Sequence, residues 1–302
     1  MNSDGVEISR DQYLLIRSHA KNALESADAF GRFPTPVADI LEGARLDVSE
    51  EELSEGFLYE LRHKAKQAGK LLKSAISKVL GVFDPSTQTV FLTKGLHLVR
   101  QVFLKLHETG HALLPWQRDI YYAIQDCEKT LAPEIAEVFE SEANVFASEV
   151  LFQLDSLTNE AAGYKFGLRV PLKLSKKYGS SVYSTVRRYV STNHRNCAVL
   201  VLNAPELVCG DGFRCGLRRV VISDSFRSCF GRMKWPEVFT PDDGLGRMIP
   251  PADRRMSGPV RIRLRDRNGV EHECAAEAFR YRYYVFILVH EVTALTRTIV
   301  AV

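Results

Sequence analysis

His107-Glu108-Thr109-Gly110-His111 sets two imidazoles and a carboxylate within little more than one helical turn. On an α-helix, positions four apart differ by about 40° in direction and about 6 Å in height, so His107 and His111 can meet at one Zn²⁺. Glu108 is the candidate base. Its position is awkward for a third ligand but suits a group that takes a proton from metal-activated water and passes it to a leaving amine. The preceding residues, Leu96 to Leu106, are mostly apolar and contain no proline or glycine, which predicts a buried helix running into the motif. Gly110 is read as clearing space beside the metal, at a cost to helix stability. The competing reading is a pair of helical histidines that meet no metal.

The segment from Thr130 to Leu154 is predicted to be a second helix, with Pro133 in its first turn, Glu134 and Glu137 near its start and no breaker after them. At about 100° per residue, Ile135, Val138, Phe139, Val145 and Phe146 all fall within about 60° of Glu142, whereas Glu140 points away. A carboxylate among apolar side chains is costly unless paired or bound to metal. Glu142 is therefore the expected third ligand, and the competing reading is a buried ion pair with an arginine such as Arg100. Glu149, on the same face, is expected to accept a hydrogen bond from a ligating histidine or, less readily, to be the ligand itself.

His107-Glu108-Thr109-Gly110-His111-Ala112-Leu113-Leu114, followed by Glu142-Ala143-Asn144-Val145-Phe146-Ala147-Ser148-Glu149, resembles the ImmA/IrrE metallopeptidases. Phe33-Pro34-Thr35-Pro36-Val37 and the short segment Thr89-Val90-Phe91-Leu92 are also similar to that family's layout. The resemblance implies an intracellular gluzincin-like enzyme or regulator that acts on helix-turn-helix repressors in phage, mobile-element or stress-response circuits. It implies His107, His111 and Glu142 as zinc ligands and Glu108 as base. Leu151-Phe152-Gln153-Leu154 departs from the family's usual Leu-Leu-Met-Pro, and the helix is expected to continue past it.

With 302 residues, 45% hydrophobic and 25% charged, the chain is long and apolar enough for two domains of ordinary soluble composition. A net charge of +3 favours no class of partner, because a local basic face can be offset elsewhere, for example by Glu50-Glu51-Glu52. Met1-Asn2-Ser3-Asp4 lacks a basic stretch followed by an apolar core, and no apolar run matches a bilayer, so a cytoplasmic protein with no membrane partner is expected. The apolar run Tyr283 to Val289 is predicted to be a buried strand. Cys127, Cys197, Cys209, Cys215, Cys229 and Cys274 show no paired C-x-x-C spacing and are expected to be reduced thiols rather than a disulfide framework. Cys209 to Cys215 is a less favoured candidate for a redox pair or a metal on a turn. His290-Glu291 lacks a second histidine four residues on.

The predicted organisation is α+β. Residues 1–160 form a mainly helical, zincin-like catalytic domain, with helices over 9–31, 36–45 and 55–80 and a strand at Thr87 to Leu92. As an edge strand beside the zinc helix, Thr89 to Leu92 is a candidate to bind an extended substrate by strand addition. The 55–80 helix is amphipathic and is expected to pack on the core. Residues 161–194 form a helix-turn-helix-like element in which Leu172 to Tyr189 reads as helix, glycine turn and helix, with Ser180 or Ser181 as N-cap. Its lysines and arginines make 172–190 a candidate DNA contact, against the commoner reading of a docking element. Residues 195–302 form a β-rich domain suited to sensing or partner binding, with strands at Ala198 to Leu202, Arg218 to Ile222, Val260 to Leu264 and Phe279 to Val292 and a long loop from Phe239 to Pro251. Arg254, Arg255, Arg261, Arg263, Arg265 and Arg267 form a basic cluster, read as a solvated face or, more sharply, as a surface for an acidic partner or nucleic acid.

The function expected from these features is zinc-dependent hydrolysis of peptide bonds in a regulatory protein, such as a transcriptional repressor. His97, Tyr121 and Tyr122 are candidate oxyanion donors by their nearness in sequence. The alternative is a non-catalytic zinc-binding regulator or DNA-associated module, against which the presence of Glu108 argues.

Overall fold

The computed structural model describes residues 8–49, 81–84, 87–92, 95–125, 133–208 and 212–292. The expected 55–80 helix, the Glu50–Glu52 run, Cys127 and Cys209 lie outside them. The architecture is α+β, and the chain divides into two compact units, Met1–Asn159 with Leu174–Ser181, and Glu160–Lys173 with Val182–Val302.

In the first unit, α1 (Arg10–Ser26) starts where the Ser9 side chain accepts from the Gln12 backbone N–H at 3.2 Å, satisfying one of the orphan donors of the first turn. Its buried stripe, Ile16, Ala20 and Leu24, repeats every four residues, as expected for one helix face against a core. After α2 (Val37–Gly43) come three short strands, β1 (Asp47–Ser49), β2 (Gly81–Asp84) and β3 (Thr89–Leu92). They form a sheet in the order β1-β3-β2, with β1 parallel and β2 antiparallel to β3. This corrects the expectation for Thr89 to Leu92: β3 is the central strand, its main-chain groups are taken on both sides, and it has no free edge for a substrate strand.

Three helices complete the frame of the site: α3 (Leu98–Leu113), α4 (Pro115–Gln125) and α5 (Pro133–Leu151). Between α3 and α4, Leu114 is extended at φ −81°, ψ 109°, the conformation a following proline favours, so the chain turns sharply there. α5 does not continue past Leu151 as expected: Gln153 and Leu154 adopt left-handed φ of 46° and 58°. Gln153 fixes this end. Its amide nitrogen donates to the carbonyls of Ala29 and Arg32 at 2.9 and 2.7 Å, and its oxygen accepts from Gly31 N–H at 2.8 Å. The Tyr178 ring packs on Phe33 and Phe152 with centroids 4.5 and 6.0 Å apart. Gly179, at φ 61°, has Pro34 Cβ only 2.9 Å from where its own Cβ would be.

The expected basic helices are α7 (Arg169–Lys177) and α8 (Val182–Ser191), preceded by α6 (Ser156–Ala162). Arg188, expected on an exposed basic face, is buried with Val186, Tyr189 and Val190, so α8 does not present its two arginines as a pair.

The second unit is built on an antiparallel sheet ordered β5 (Glu206–Val208), β6 (Gly212–Ile222), β4 (Cys197–Asn203), β10 (Tyr284–Glu291), β9 (Glu271–Tyr281) and β8 (Val260–Arg265). β7 (Val238–Phe239) pairs with β6. The central pair β4 and β10 is buried on both faces, Cys197 through Leu202 and Val285 through Val289, which explains why both read as continuous apolar runs. Ala198, Leu200, Leu202, Val285, Ile287 and Val289 share one core with Phe226 and Phe230 of α9 (Asp224–Phe230).

The stretch expected as one strand from Phe279 to Val292 is the end of β9 and all of β10. They are joined at Arg282 and Tyr283, where Arg282 has φ 47° and its N–H donates to Asp253 at 2.6 Å. That turn has no glycine, proline or aspartate of its own to mark it. The arginines of β8 are exposed and face acidic neighbours on β9: Arg261 lies 2.6 Å from Glu273, and Arg265 lies 3.1 Å from Glu271. Cys197, Cys215, Cys229 and Cys274 are free thiols.

Candidate metal centre

α3 is capped by His97, whose Nδ1 accepts from Val99 N–H at 3.4 Å. That role removes His97 as an oxyanion donor, since ten residues of helix hold it about 15 Å from the motif. The motif occupies the other end, where Leu106 through Ala112 are all buried. Gly110 is needed for packing rather than for space beside a metal. A Cβ there would meet Ala143 Cα at 3.2 Å and Phe146 at 3.2 to 3.3 Å, so its missing side chain lets α3 and α5 approach closely.

This contact brings Glu140 of α5 to the two histidines. His107 Nε2 and His111 Nε2 are 3.2 Å apart, Glu140 Oε2 is 3.2 Å from His107 Nε2, and Glu140 Oε1 is 3.5 Å from His111 Nε2. Three donors on one face of a tetrahedron, each about 2.0 to 2.1 Å from zinc, stand about 3.3 Å apart. Two imidazole nitrogens 3.2 Å apart, with one oxygen of the same carboxylate against each, therefore make a group that could hold a zinc-type ion. The electrostatics agree. The Glu140 carboxyl is held well below the ordinary carboxylate range: desolvation opposes this, and hydrogen bonds with His107 and His111 outweigh it. His111 is shifted upward. Burial pulls it down, but the Glu140 hydrogen bond and the nearby Glu108 charge prevail. The surroundings of His111 favour its charged form.

The expected ligand Glu142 is not in this group. It is buried, 3% exposed, as the periodicity implied, but its carboxylate is satisfied by N–H donors. Gln12 Nε2 donates to Oε1 at 2.7 Å, and Trp116 Nε1 and Gln117 Nε2 donate to Oε2 at 2.7 and 2.6 Å. Two residues on a helix differ by about 200°, which puts Glu140 and Glu142 on opposite sides of α5. Glu140, read from sequence as facing away, has a side chain about half exposed, at 53%.

Glu142 is still connected to the site. Gln117, fully buried, donates from its nitrogen to Phe139 C=O at 3.1 Å as well as to Glu142. Those two acceptors fix the amide orientation and turn Oε1 toward His111 Nδ1, 2.7 Å away. His111 therefore carries its proton on Nδ1 and presents the Nε2 lone pair to His107 and Glu140. The sequence reading missed Gln117, whose only signal was its place just after the Pro115 turn.

Glu149 is taken up elsewhere. Tyr13 Oη donates to it at 2.7 Å and Arg17 Nη1 at 2.9 Å, so it supports neither ligating histidine as had been expected. Glu108 is buried next to His107, at 6% exposed. The side chains of Tyr121 and Tyr122 lie outside the described ones.

The family model of the IrrE N-terminal-like domain, a peptidase family, matches residues 69–189. Among curated proteins no match is found. Among solved structures, a Mycobacterium tuberculosis transcriptional regulator is similar at 11% sequence identity and a TM-score of 0.49, over 94% of this chain and 76% of that one.

Proposed function

We propose, from the match of residues 69–189 to the IrrE N-terminal-like domain of the ImmA/IrrE family, that the protein is a zinc-dependent endopeptidase acting on a regulatory protein, such as a helix-turn-helix repressor. The observation that carries the reading is the group of His107, His111 and Glu140, in which the two imidazole nitrogens are 3.2 Å apart and each has a Glu140 carboxylate oxygen 3.2 to 3.5 Å away, next to the buried carboxylate of Glu108. In this reading Glu140 takes the ligand role first assigned to Glu142.

Zinc held by these three groups would supply Lewis acidity toward water and the scissile carbonyl. The chain's own parts do the rest. Gln117 and Glu142 orient the His111 ring, Glu140 closes the donor set from α5, and Glu108 accepts and returns a proton. Of the three groups Glu140 is the half-exposed one, and the two histidines are buried.

Glu108→Gln tests both parts. The purified variant is expected to keep its zinc, measured by elemental mass spectrometry, and to lose hydrolysis. In cells it should retain an uncut substrate, identified by mass spectrometry of proteins that co-purify with it. Cleavage of the same protein by the variant at the parental rate would remove the peptidase reading. Retained partners that include no DNA-binding regulator would remove the substrate assignment and leave hydrolysis standing. Among the described residues no helix is long and apolar enough to cross a membrane.

A further inference from the structure

Within the second unit, Cys229 at the end of α9, Asp266 in the turn between β8 and β9, and His272 on β9 bring a sulfur, a carboxylate oxygen and a ring nitrogen within 4.8 Å of one another. These residues are remote in sequence, and three local devices aim them. Asp266 Oδ1 accepts from Asn268 N–H at 2.8 Å and Val270 N–H at 2.9 Å, which locks the turn and leaves Oδ2 directed at His272 Nε2, 3.4 Å away. His272 Nδ1 is 2.7 Å from Glu291 Oε1, and Glu291 also accepts from Asn196 Nδ2 at 2.6 Å. Cys229 is tied to the same turn through its carbonyl, which accepts from Arg267 N–H at 3.3 Å. Phe230 lies against the His272 ring with centroids 5.2 Å apart.

We propose that Cys229, Asp266 and His272 form a second metal site, of zinc type, held entirely within the second unit. The carboxylate behind His272 Nδ1 is the arrangement that orients metal-bound histidines, keeping one nitrogen protonated and the other free for the ion. The free nitrogen, Nε2, is buried without a hydrogen-bond partner: Asp266 is close to it but not aligned to bond. Asp266 itself is 9% exposed. A purely electrostatic role, an imidazolium between Asp266 and Glu291, would satisfy the two carboxylates but give the sulfur nothing to do. A borderline-soft cation uses all three donors at once.

The site shares no residue with the His107 cluster, so it stands whether or not that cluster hydrolyses peptides. Co²⁺ added to the metal-free full-length protein separates the two, because only a sulfur ligand gives thiolate-to-cobalt charge transfer in the near ultraviolet. The band is expected in the parent and, undiminished, in His107→Ala/His111→Ala, which should still hold about one zinc per chain. Cys229→Ser should abolish the band, and Asp266→Asn, which can keep the turn's acceptor oxygen, should weaken Zn²⁺ binding by about 10-fold or more. Circular dichroism checks that each variant is folded. Absence of the band from both the parent and the double variant, or its persistence in Cys229→Ser, would overturn the proposal.

Discussion

Gln117 holds His111 through a 2.7 Å contact between its amide oxygen and the ring Nδ1, and the same amide donates to Glu142 at 2.6 Å. One neutral side chain thus links a buried carboxylate to a histidine of the metal centre. Gln117→Leu, of similar size, should lower Zn²⁺ affinity by about 10- to 100-fold. It should also cost about 1 to 3 kcal/mol by removing one of Glu142's donors. Chelator competition and urea unfolding read the two effects. Unchanged affinity would mean that His111 needs no support.

Glu140→Gln and Glu142→Gln should separate binding from folding. Glu140→Gln is expected to lose the one Zn²⁺ per chain assigned to the His107 cluster and to leave the fold intact, because its side chain is half exposed. Glu142→Gln puts a third amide, with donors of its own, against the three N–H donors of Gln12, Trp116 and Gln117, so its main effect should be a loss of about 1 to 3 kcal/mol in stability. Titration and denaturation of both variants check this, and the reverse pattern would restore Glu142 as the ligand.

Gly110→Ala tests the close approach of α3 and α5. A Cβ there would lie 3.2 Å from Ala143 Cα, tighter than packed atoms accept. Overpacking costs about 1 to 3 kcal/mol, and the gain in helix propensity returns about 1 kcal/mol. A net loss of stability is expected in urea unfolding, with Zn²⁺ affinity reduced as Glu140 is moved away. A more stable, fully binding variant would show that the helices yield freely.

Arg17→Leu should be among the most destabilising changes at α1. Glu149 is completely buried and lies 2.9 Å from Arg17. Removing one partner of a buried pair costs about 3 to 5 kcal/mol, reduced here because Tyr13 still donates and Arg17 is partly exposed. Arg17→Leu/Glu149→Leu should recover much of the loss. Denaturation of the single and double variants makes the comparison.

Local rules made much of the fold legible. The helical period located α3 and α5, continuous apolar runs located β4 and β10, and the spacing of His107 and His111 located the centre. What escaped depended on partners remote in sequence. Periodicity rightly buried Glu142, but burial alone does not bring a carboxylate to the histidines: Glu140, on the more exposed side of α5, is the one that lies against them. The turn at Arg282 is held by Asp253, and the end of α5 by the loop that Gln153 grips, neither of which a window of neighbouring residues contains. β3 was taken for an edge because its second partner, β1, arrives from more than thirty residues upstream.

The unequal exposure of the three donors gives the centre a direction. The His107 and His111 side chains are 10% and 5% exposed, while that of Glu140 is 53% exposed, so of the three donors the carboxylate is the one that solvent meets. If the centre holds zinc and cuts peptides as proposed, a chelator and an incoming peptide would meet the same carboxylate first, and a bound product would then slow loss of the metal.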